Sequence, residues 1–232
     1  MADELELIRL AIGEDHVEVA LLDVTRLAGT ESTASRFLTA LEHEEYARLR
    51  HPLRRREWLG ARVCLKVMLM QQRRVGDPLH CAVVKDARGR PRFAFLPEAP
   101  AGVAYDCSLS HKGRFVCACV ARAAGIKVGV DIEEVSPRLL RLAHAFANDR
   151  DVLIDSRSAE ERLAILWTLK EACTKVVGRG LGMALRDVTC EEIAPGRHKV
   201  VTVDGVELRA RHTVHDGYVV ALCVGEDLRP ER

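Results

Sequence analysis

The sequence lacks the usual features of membrane, secreted and nucleic-acid-binding proteins. No apolar run approaches the ~18–20 residues that a membrane-spanning helix needs. The first fifteen residues are acidic, not a basic segment followed by an apolar stretch, so we expect a cytoplasmic protein without a secretory signal. The 35 basic residues balance 34 acidic ones, and a net charge of +1 argues against binding to nucleic acid or to an anionic membrane.

Paired cysteine motifs are absent as well. The eight cysteines include no C-x-x-C pair, and most lie inside apolar runs, which is typical of reduced core cysteines and not of a disulfide framework. A structural zinc site needs clustered ligands. His212 and His215 lie close together, but no cysteine pair accompanies them, so we do not expect zinc.

The 232 residues, 48% of them hydrophobic, suffice for one large domain or two small ones. Two segments of the first half recur in the second half at one spacing. The segment from His111 to Val120 resembles that from His215 to Val224, and Glu57-x-Leu59 leading to Leu65-Lys66 resembles Glu161-x-Leu163 leading to Leu169-Lys170. The shared offset predicts two similar halves, residues 1–120 and 121–232.

The pattern of apolar residues predicts a mixture of strands and helices in each half. Expected strands are 17–24, 79–85, 115–120, 127–133, 199–203, 206–214 and 218–224. Expected helices are 54–72, one from Ser136-Pro137 to about Ala147, and one opened by a capping box at Ser158 and ended by Gly178. Helices and hairpins segregate instead of alternating, so we predict an α+β fold with antiparallel sheets and packed helices.

The first chemical signal is the acidic strand Gly129-Val-Asp-Ile-Glu133. Strand side chains alternate, so Asp131 and Glu133 project from one face and can converge on a hard cation such as Mg²⁺. Gly129 lies on the same face and is expected to leave space for a ligand. The alternative is a sheet with a polar, solvated face.

The second signal is the helical segment Trp167-Thr-Leu-Lys-Glu-Ala-Cys-Thr-Lys175. Glu171 and Lys175 share one helix face, with Lys170 beside them, and this set can supply a metal ligand or base together with cations for phosphate oxygens. The alternative is an ordinary ion pair between Glu171 and Lys175 on a solvated helix. The glycines from Gly178 to Gly182 close this helix, so they are not a nucleotide-binding loop that opens one.

Further candidate phosphate ligands lie in the first half. We interpret Ser108-Leu-Ser-His111-Lys-Gly113 as a loop before a strand, with Ser110 and His111 suited to phosphate oxygens. The basic residues Arg54, Arg55 and Arg62 on the first long helix either bind phosphate or form a solvated face. Gly89-Arg90-Pro91 by itself is only a turn.

Taken together and in this order, these motifs resemble the 4′-phosphopantetheinyl transferases of the larger, Sfp-like class. The resemblance covers residues 50–185 and rests on the Gly89-Arg90-Pro91 turn, the Ser-His segment, the acidic strand and the Lys-Glu helix. It implies a chain of two similar halves, related by pseudo-twofold symmetry, with the active site between them. Such an enzyme moves the phosphopantetheine arm of coenzyme A to a serine of an apo acyl or peptidyl carrier protein and releases 3′,5′-adenosine bisphosphate.

The resemblance also implies roles for individual residues. Asp131, Glu133 and Glu171 would hold Mg²⁺, and Glu171, or a base near it, would deprotonate the carrier serine. Lys170 and Lys175 would neutralise the phosphates, with Lys175 at the leaving group. Contacts to coenzyme A would come from Ser110 and His111 and also from the arginines Arg54, Arg55, Arg62 and Arg90. A single chain that contains both halves is expected to be a monomer.

Two other functions remain open from the sequence. A metal-dependent phosphodiesterase also uses carboxylates and lysine, although the balanced charge argues against a nucleic-acid substrate. A non-catalytic module that binds coenzyme A or a carrier protein would keep the same fold, but it would not require all three carboxylates.

Overall fold

The computed structural model describes residues 5–13, 16–27, 29–95, 105–154, 157–178 and 182–226. The proline and glycine residues of segment 97–102 predict a surface loop, but this segment lies outside the described residues, as do residues 179–181 of the glycine-rich segment. In the part of the chain that is described, no helix is long and apolar enough to cross a membrane.

The first sheet has four antiparallel strands in the order β1-β2-β6-β5. The strands are β1 (Ile8–Arg9), β2 (Val17–Asp23), β5 (Asp106–Lys112) and β6 (Phe115–Ala121). Three helices accompany this sheet, α1 (Thr30–Phe37), α2 (Ala40–Arg48) and α3 (Pro52–Gln71), and β3 (Cys81–Lys85) pairs with β4 (Pro91–Phe95) in a separate hairpin.

The second sheet has five antiparallel strands in the order β7-β11-β10-β9-β8. Its strands are β7 (Ile126–Glu134), β8 (Val188–Ala194), β9 (Arg197–Thr202), β10 (Glu207–His215) and β11 (Tyr218–Glu226). Helix α4 (Arg138–Phe146) follows β7, and α5 (Ala159–Val177) packs on the sheet. Antiparallel sheets with helices packed on them confirm the predicted α+β class.

Three apolar clusters hold these layers together. One joins α3 to β2 and β6, and a second joins α5 to the second sheet. The third lies between the two sheets, where Cys117 and Cys119 meet Val130 and Leu222. Strand β6 therefore has a buried residue at every position, because its two faces belong to two different clusters. All eight cysteines are free and buried, as the sequence predicts.

The boundaries of α5 follow from local chemistry. The Ser158 side chain accepts from Glu161 N at 3.2 Å and caps the first turn. Gly178 adopts φ +77°, a left-handed conformation that ends the helix where glycine is favoured. The sheets draw on residues before 122 and after 125, but the division into domains at residue 120 stays a prediction.

The prediction that Ser108–Gly113 forms a loop is wrong. Residues 106–112 form β5, paired antiparallel with β6, from Asp106 opposite Ala121 to Lys112 opposite Phe115. The polar composition of this segment suggested a loop, but Asp106 and Ser108 are buried on one face of the strand, where they accept from backbone N–H groups of β7. Helices α1 and α2 and strands β1, β4 and β8 were not expected from the sequence.

Candidate active site

The acidic strand β7 presents both predicted carboxylates toward helix α5. Asp131 and Glu133 are 6% and 5% exposed, so the polar-surface alternative is wrong. The sequence predicts that Gly129 leaves space for a ligand, and this prediction is wrong. A Cβ atom there would lie 2.1 Å from Ala172 O, so Gly129 instead allows α5 to pass against β7. This close approach brings the helix residues next to the strand carboxylates.

Asp131 lies where the two sheets meet. Ser110 Oγ of β5 donates to Asp131 Oδ1 at 2.6 Å, and Lys175 Nζ of α5 contacts the same oxygen at 2.7 Å. The ammonium also donates to Val130 O at 2.8 Å and to Leu109 O at 3.3 Å. Three elements, β5, β7 and α5, therefore supply one cluster, and Lys175 belongs to it instead of projecting from a solvated helix.

Glu171 completes the acidic group from the helix side. Burial raises the pKa of Glu171, and the negative charges of Asp131 and Glu133 raise it further, while Lys175 lowers it. The carboxyl groups of Asp131, Glu133 and Glu171 repel one another in a site that is largely shielded from solvent. Together they are oxygen ligands suited to a hard divalent cation.

Glu133 is neutralised by two cations. Lys112 Nζ at the end of β5 lies 2.6 Å from Glu133 Oε1, and Arg138 Nη2 at the start of α4 lies 3.3 Å from Oε2. The sequence analysis did not identify Arg138. Its place in the first turn of the helix that follows the acidic strand was the available signal.

His111 stands at the edge of this cluster. Arg54 Nη1 donates to His111 Nε2 at 2.9 Å, and Glu57 Oε2 lies 3.3 Å from the same nitrogen. Burial lowers the pKa of His111. The negative charges of Glu57 and Asp131 raise this pKa, and the positive charges of Arg54 and Lys175 lower it. Arg54 is well exposed and remains accessible to an anionic ligand next to the imidazole.

Lys170 makes its contacts away from this cluster, and its expected role at the phosphates stays a prediction. Its side chain is fully buried, with Nζ 2.7 Å from Asp151 Oδ2 and 2.8 Å from Phe146 O. The first half repeats this arrangement, since Lys66 Nζ lies 2.6 Å from both Glu42 Oε2 and Phe37 O. Phe37 and Phe146 are the last residues of α1 and α4.

The sequence contained a signal for the shared contacts of Lys66 and Lys170. Lys66 and Lys170 are the two lysines of the repeated segment, and the half that contains Lys66 has no counterpart of the acidic strand. A lysine that recurs in both halves therefore serves the shared framework.

Three of the four predicted arginines are also occupied elsewhere. Arg55 lies 4.1 Å above the Tyr46 ring and pairs with Glu31 at 2.7 Å. Arg62 stacks 3.3 Å from the Trp58 ring with its side chain 5% exposed, and burial lowers its pKa to about 10. The coenzyme A contacts expected of Arg55 and Arg62 stay predictions.

Arg90 is also held inside the protein. It pairs with Asp106 and donates to Val128 O at 2.6 Å and to Lys175 O. Its expected contact with coenzyme A stays a prediction. Of the predicted arginines, Arg54 alone lies beside His111.

A second cluster of metal-ligand types lies in the five-stranded sheet. Glu192, His198 and His212 are buried with potential ligand atoms within 4.8 Å of one another. His198 Nε2 lies 2.6 Å from His212 Nδ1, whereas His215 packs against the Phe115 ring.

This cluster does not fit a metal ion. The Glu192 carboxylate accepts from two Arg157 nitrogens, at 3.1 and 3.2 Å, and from the N–H groups of Ile154 and Gly196. These four donors fill its acceptor sites, and the guanidinium opposes a second cation. The expectation that His212 serves no zinc site stays a prediction.

Comparisons with known proteins give the same family as the motifs. Residues 127–223 match the sequence profile of the 4′-phosphopantetheinyl transferase superfamily. A 4′-phosphopantetheinyl transferase of Bacillus pumilus is 33% identical over 109 residues, 45% of this chain and 42% of that protein. The transferase named Sfp of Bacillus subtilis is 27% identical over 150 residues, 62% of either chain. The resemblance to the Sfp-like class is thus confirmed.

The matches cover only part of these relatives. The chain spans 42% to 62% of the length of the curated proteins that it matches. The solved holo-[acyl-carrier-protein] synthase of Thermotoga maritima aligns with a TM-score of 0.39 at 24% identity, over 62% of this chain and 78% of that one.

Proposed function

We propose that this chain, a relative of the Sfp-like 4′-phosphopantetheinyl transferases, transfers the phosphopantetheine arm of coenzyme A to a serine of an apo acyl or peptidyl carrier protein. One observation carries the proposal. Ser110 of β5 and Lys175 of α5 both contact Asp131 of β7, next to Glu171. Acidic and cationic groups are thus brought together where the two sheets meet.

The acidic group fits Mg²⁺. Asp131, Glu133 and Glu171 supply only oxygen ligands, and the mutual repulsion that raises the pKa of Glu171 would be relieved by a cation between them. When bound, Mg²⁺ would neutralise the pyrophosphate oxygens of coenzyme A and make its phosphorus more electrophilic.

The cations around this group support binding of an anionic substrate. In the structure, Lys175 contacts the carboxylate of Asp131 and Lys112 contacts that of Glu133. When these carboxylates bind a metal ion, both ammonium groups can contact phosphate oxygens instead. His111 and Arg54 lie at the outer edge and would hold a further phosphate of the nucleotide.

The chemical step needs a base and a stabilised leaving group. Glu171, with its raised pKa, is the best placed acceptor for the proton of the carrier serine. The serine oxygen then attacks the phosphorus next to pantetheine, a new P–O bond forms, and the pyrophosphate P–O bond breaks. The electron pair leaves on 3′,5′-adenosine bisphosphate, whose charge Lys175 would neutralise.

The proposal extends to the setting of the enzyme. We expect a cytoplasmic monomer whose co-substrate is coenzyme A and whose partner is a carrier protein, with residues 1–120 and 121–232 as the two halves. Holo-[acyl-carrier-protein] synthase activity is the specific reaction proposed.

Mass spectrometry of the carrier tests the function. The protein is incubated with coenzyme A, Mg²⁺ and an apo carrier, and a mass gain equal to the phosphopantetheine arm is expected. Glu171→Gln should abolish the gain, whereas Glu161→Gln, a matched change in the first turn of the same helix, should leave it intact.

Other outcomes would contradict the proposal. Tight binding of coenzyme A with no gain on several apo carriers would indicate a binding module. Hydrolysis of a phosphodiester without carrier labelling would indicate a phosphodiesterase. Full transfer by Glu171→Gln would remove Glu171 from the chemistry.

A further inference from the structure

The two sheets meet edge to edge at β5 and β7, the end strands of their sheets. Side chains from one face of β5 reach β7 in succession. Asp106 Oδ2 accepts from Val128 N at 2.8 Å, and two residues on Ser108 Oγ accepts from Val130 N at 3.1 Å. Ser110 Oγ continues the row by donating to Asp131 Oδ1. We name Asp106, Ser108 and Ser110 the seam residues.

Cations satisfy the carbonyl groups along the same edge of β7. Arg90 donates to Val128 O at 2.6 Å, and Lys175 donates to Val130 O at 2.8 Å. Arg90 also donates to Lys175 O in the last turn of α5, and it pairs with Asp106. The seam thus fixes the strand that carries Asp131 and the helix turn that carries Lys175.

Asp106 and Ser108 are 2% and 3% exposed, so their contacts are made inside the protein. Asp106 accepts from Arg90 Nε and Nη2, from Arg92 Nη1 and from Val128 N, and these four donors fill the acceptor sites of the carboxylate. Loss of either acceptor would leave a buried N–H of β7 without its partner.

From these contacts we infer that Asp106 and Ser108 are positioning residues that set the register between the two sheets. This inference rests on the proposed function. Strand side chains alternate between faces, so a slip of one residue along β5 would replace Ser110 by Leu109 beside Asp131 and move His111 away from the acidic group. Neither residue touches the reacting atoms.

A pair of serine variants separates positioning from stability. Ser108→Ala and Ser158→Ala each remove one hydroxyl that accepts from a backbone N–H, at 3.1 and 3.2 Å. Ser108→Ala should lower kcat roughly tenfold to a hundredfold with little change in KM for the carrier, because small misplacements at a reacting centre have effects of that size. Ser158→Ala should leave kcat within about twofold of the wild-type value, even if it lowers Tm by as much as Ser108→Ala does. Ser108→Thr, which restores the hydroxyl, should recover most of the rate.

Hydrogen–deuterium exchange gives a readout that needs no turnover. Exchange across residues 126–134 should quicken in Ser108→Ala and remain unchanged in Ser158→Ala. Equal kcat in the two variants, or unchanged exchange in that strand, would overturn the inference. If the wild-type protein labels no carrier, the proposed function fails while the exchange result still decides the seam. Should Ser108→Ala not fold, Asp106→Asn takes its place, and an unchanged kcat there is equally contrary.

Discussion

Replacing Lys170 by alanine should destabilise the protein strongly, because its side chain lies in the interior and pairs with a buried carboxylate. Its ammonium is fully buried between Asp151 and the carbonyl of Phe146. Removing one partner of a buried ion pair typically costs about 3–5 kcal/mol, since the other charge stays behind without compensation.

The structure places the expected loss near the lower end of that range. Asp151 keeps two backbone donors, Asn148 N at 2.9 Å and Cys190 N at 3.0 Å, so its carboxylate is not left bare. We therefore expect a loss of about 3 kcal/mol, a large share of the roughly 5–15 kcal/mol that stabilises a typical domain. For a chain of this size such a loss lowers Tm by about 6–12 °C.

Urea denaturation measures this change, with Lys66→Ala and Lys175→Ala as comparisons. Lys66→Ala should behave like Lys170→Ala, because the two lysines make equivalent contacts. Lys175, whose side chain is 28% exposed, should lose transfer activity with a smaller change in the free energy of unfolding. A Lys170→Ala protein that loses less than about 1 kcal/mol yet transfers nothing would refute the reasoning and return Lys170 to the phosphates.

Two further predictions concern packing and pH. Gly129→Ala should force α5 away from β7, because the new Cβ would lie 2.1 Å from Ala172 O, and both stability and transfer should fall; a variant with unchanged Tm and kcat would show that the helix can give way at no cost. Burial lowers the pKa of His198 and His212 to about 4, so the unfolded chain binds more protons below pH 6.5, and stability should fall between pH 7 and pH 5 by about 2 kcal/mol for each histidine, about 4 kcal/mol for the two. Urea midpoints at the two pH values measure this slope, His198→Asn should reduce it, and a wild-type slope of zero would contradict the burial argument.

Much of the framework could be predicted from local pattern. The alternation along β7 correctly placed Asp131 and Glu133 on one face, and the cap at Ser158 and the left-handed Gly178 correctly bounded α5. These features depend on neighbours within a few residues, so the sequence contains their causes. The polar strand β5 was not predicted, because its conformation depends on pairing with β6. Strand β6 is held in turn by β2, which lies far earlier in the chain.

The candidate site was only partly predictable for a related reason. Lys170 and Lys175 are five residues apart, which places them about 140° apart around a helix, so they point to different surroundings. Which of them faces Asp131 is decided by how α5 lies on the second sheet, and the approach permitted by Gly129 sets that position. The arginines followed the same rule, since Arg54 and Arg55 are adjacent in sequence but reach His111 and Tyr46 respectively.

The sequence by itself therefore determined the kinds of groups and their order: an acidic strand, a Lys-Glu helix, a Ser-His segment and a repeat that predicts two similar halves. Tertiary structure alone decided which of those groups meet. Asp131, Ser110 and Lys175 come together because two separate sheets join at their edge strands, and long-range contacts of that kind leave no periodic trace in either strand. Backbone groups at that junction require partners, and the side chains that satisfy them hold the candidate site in place.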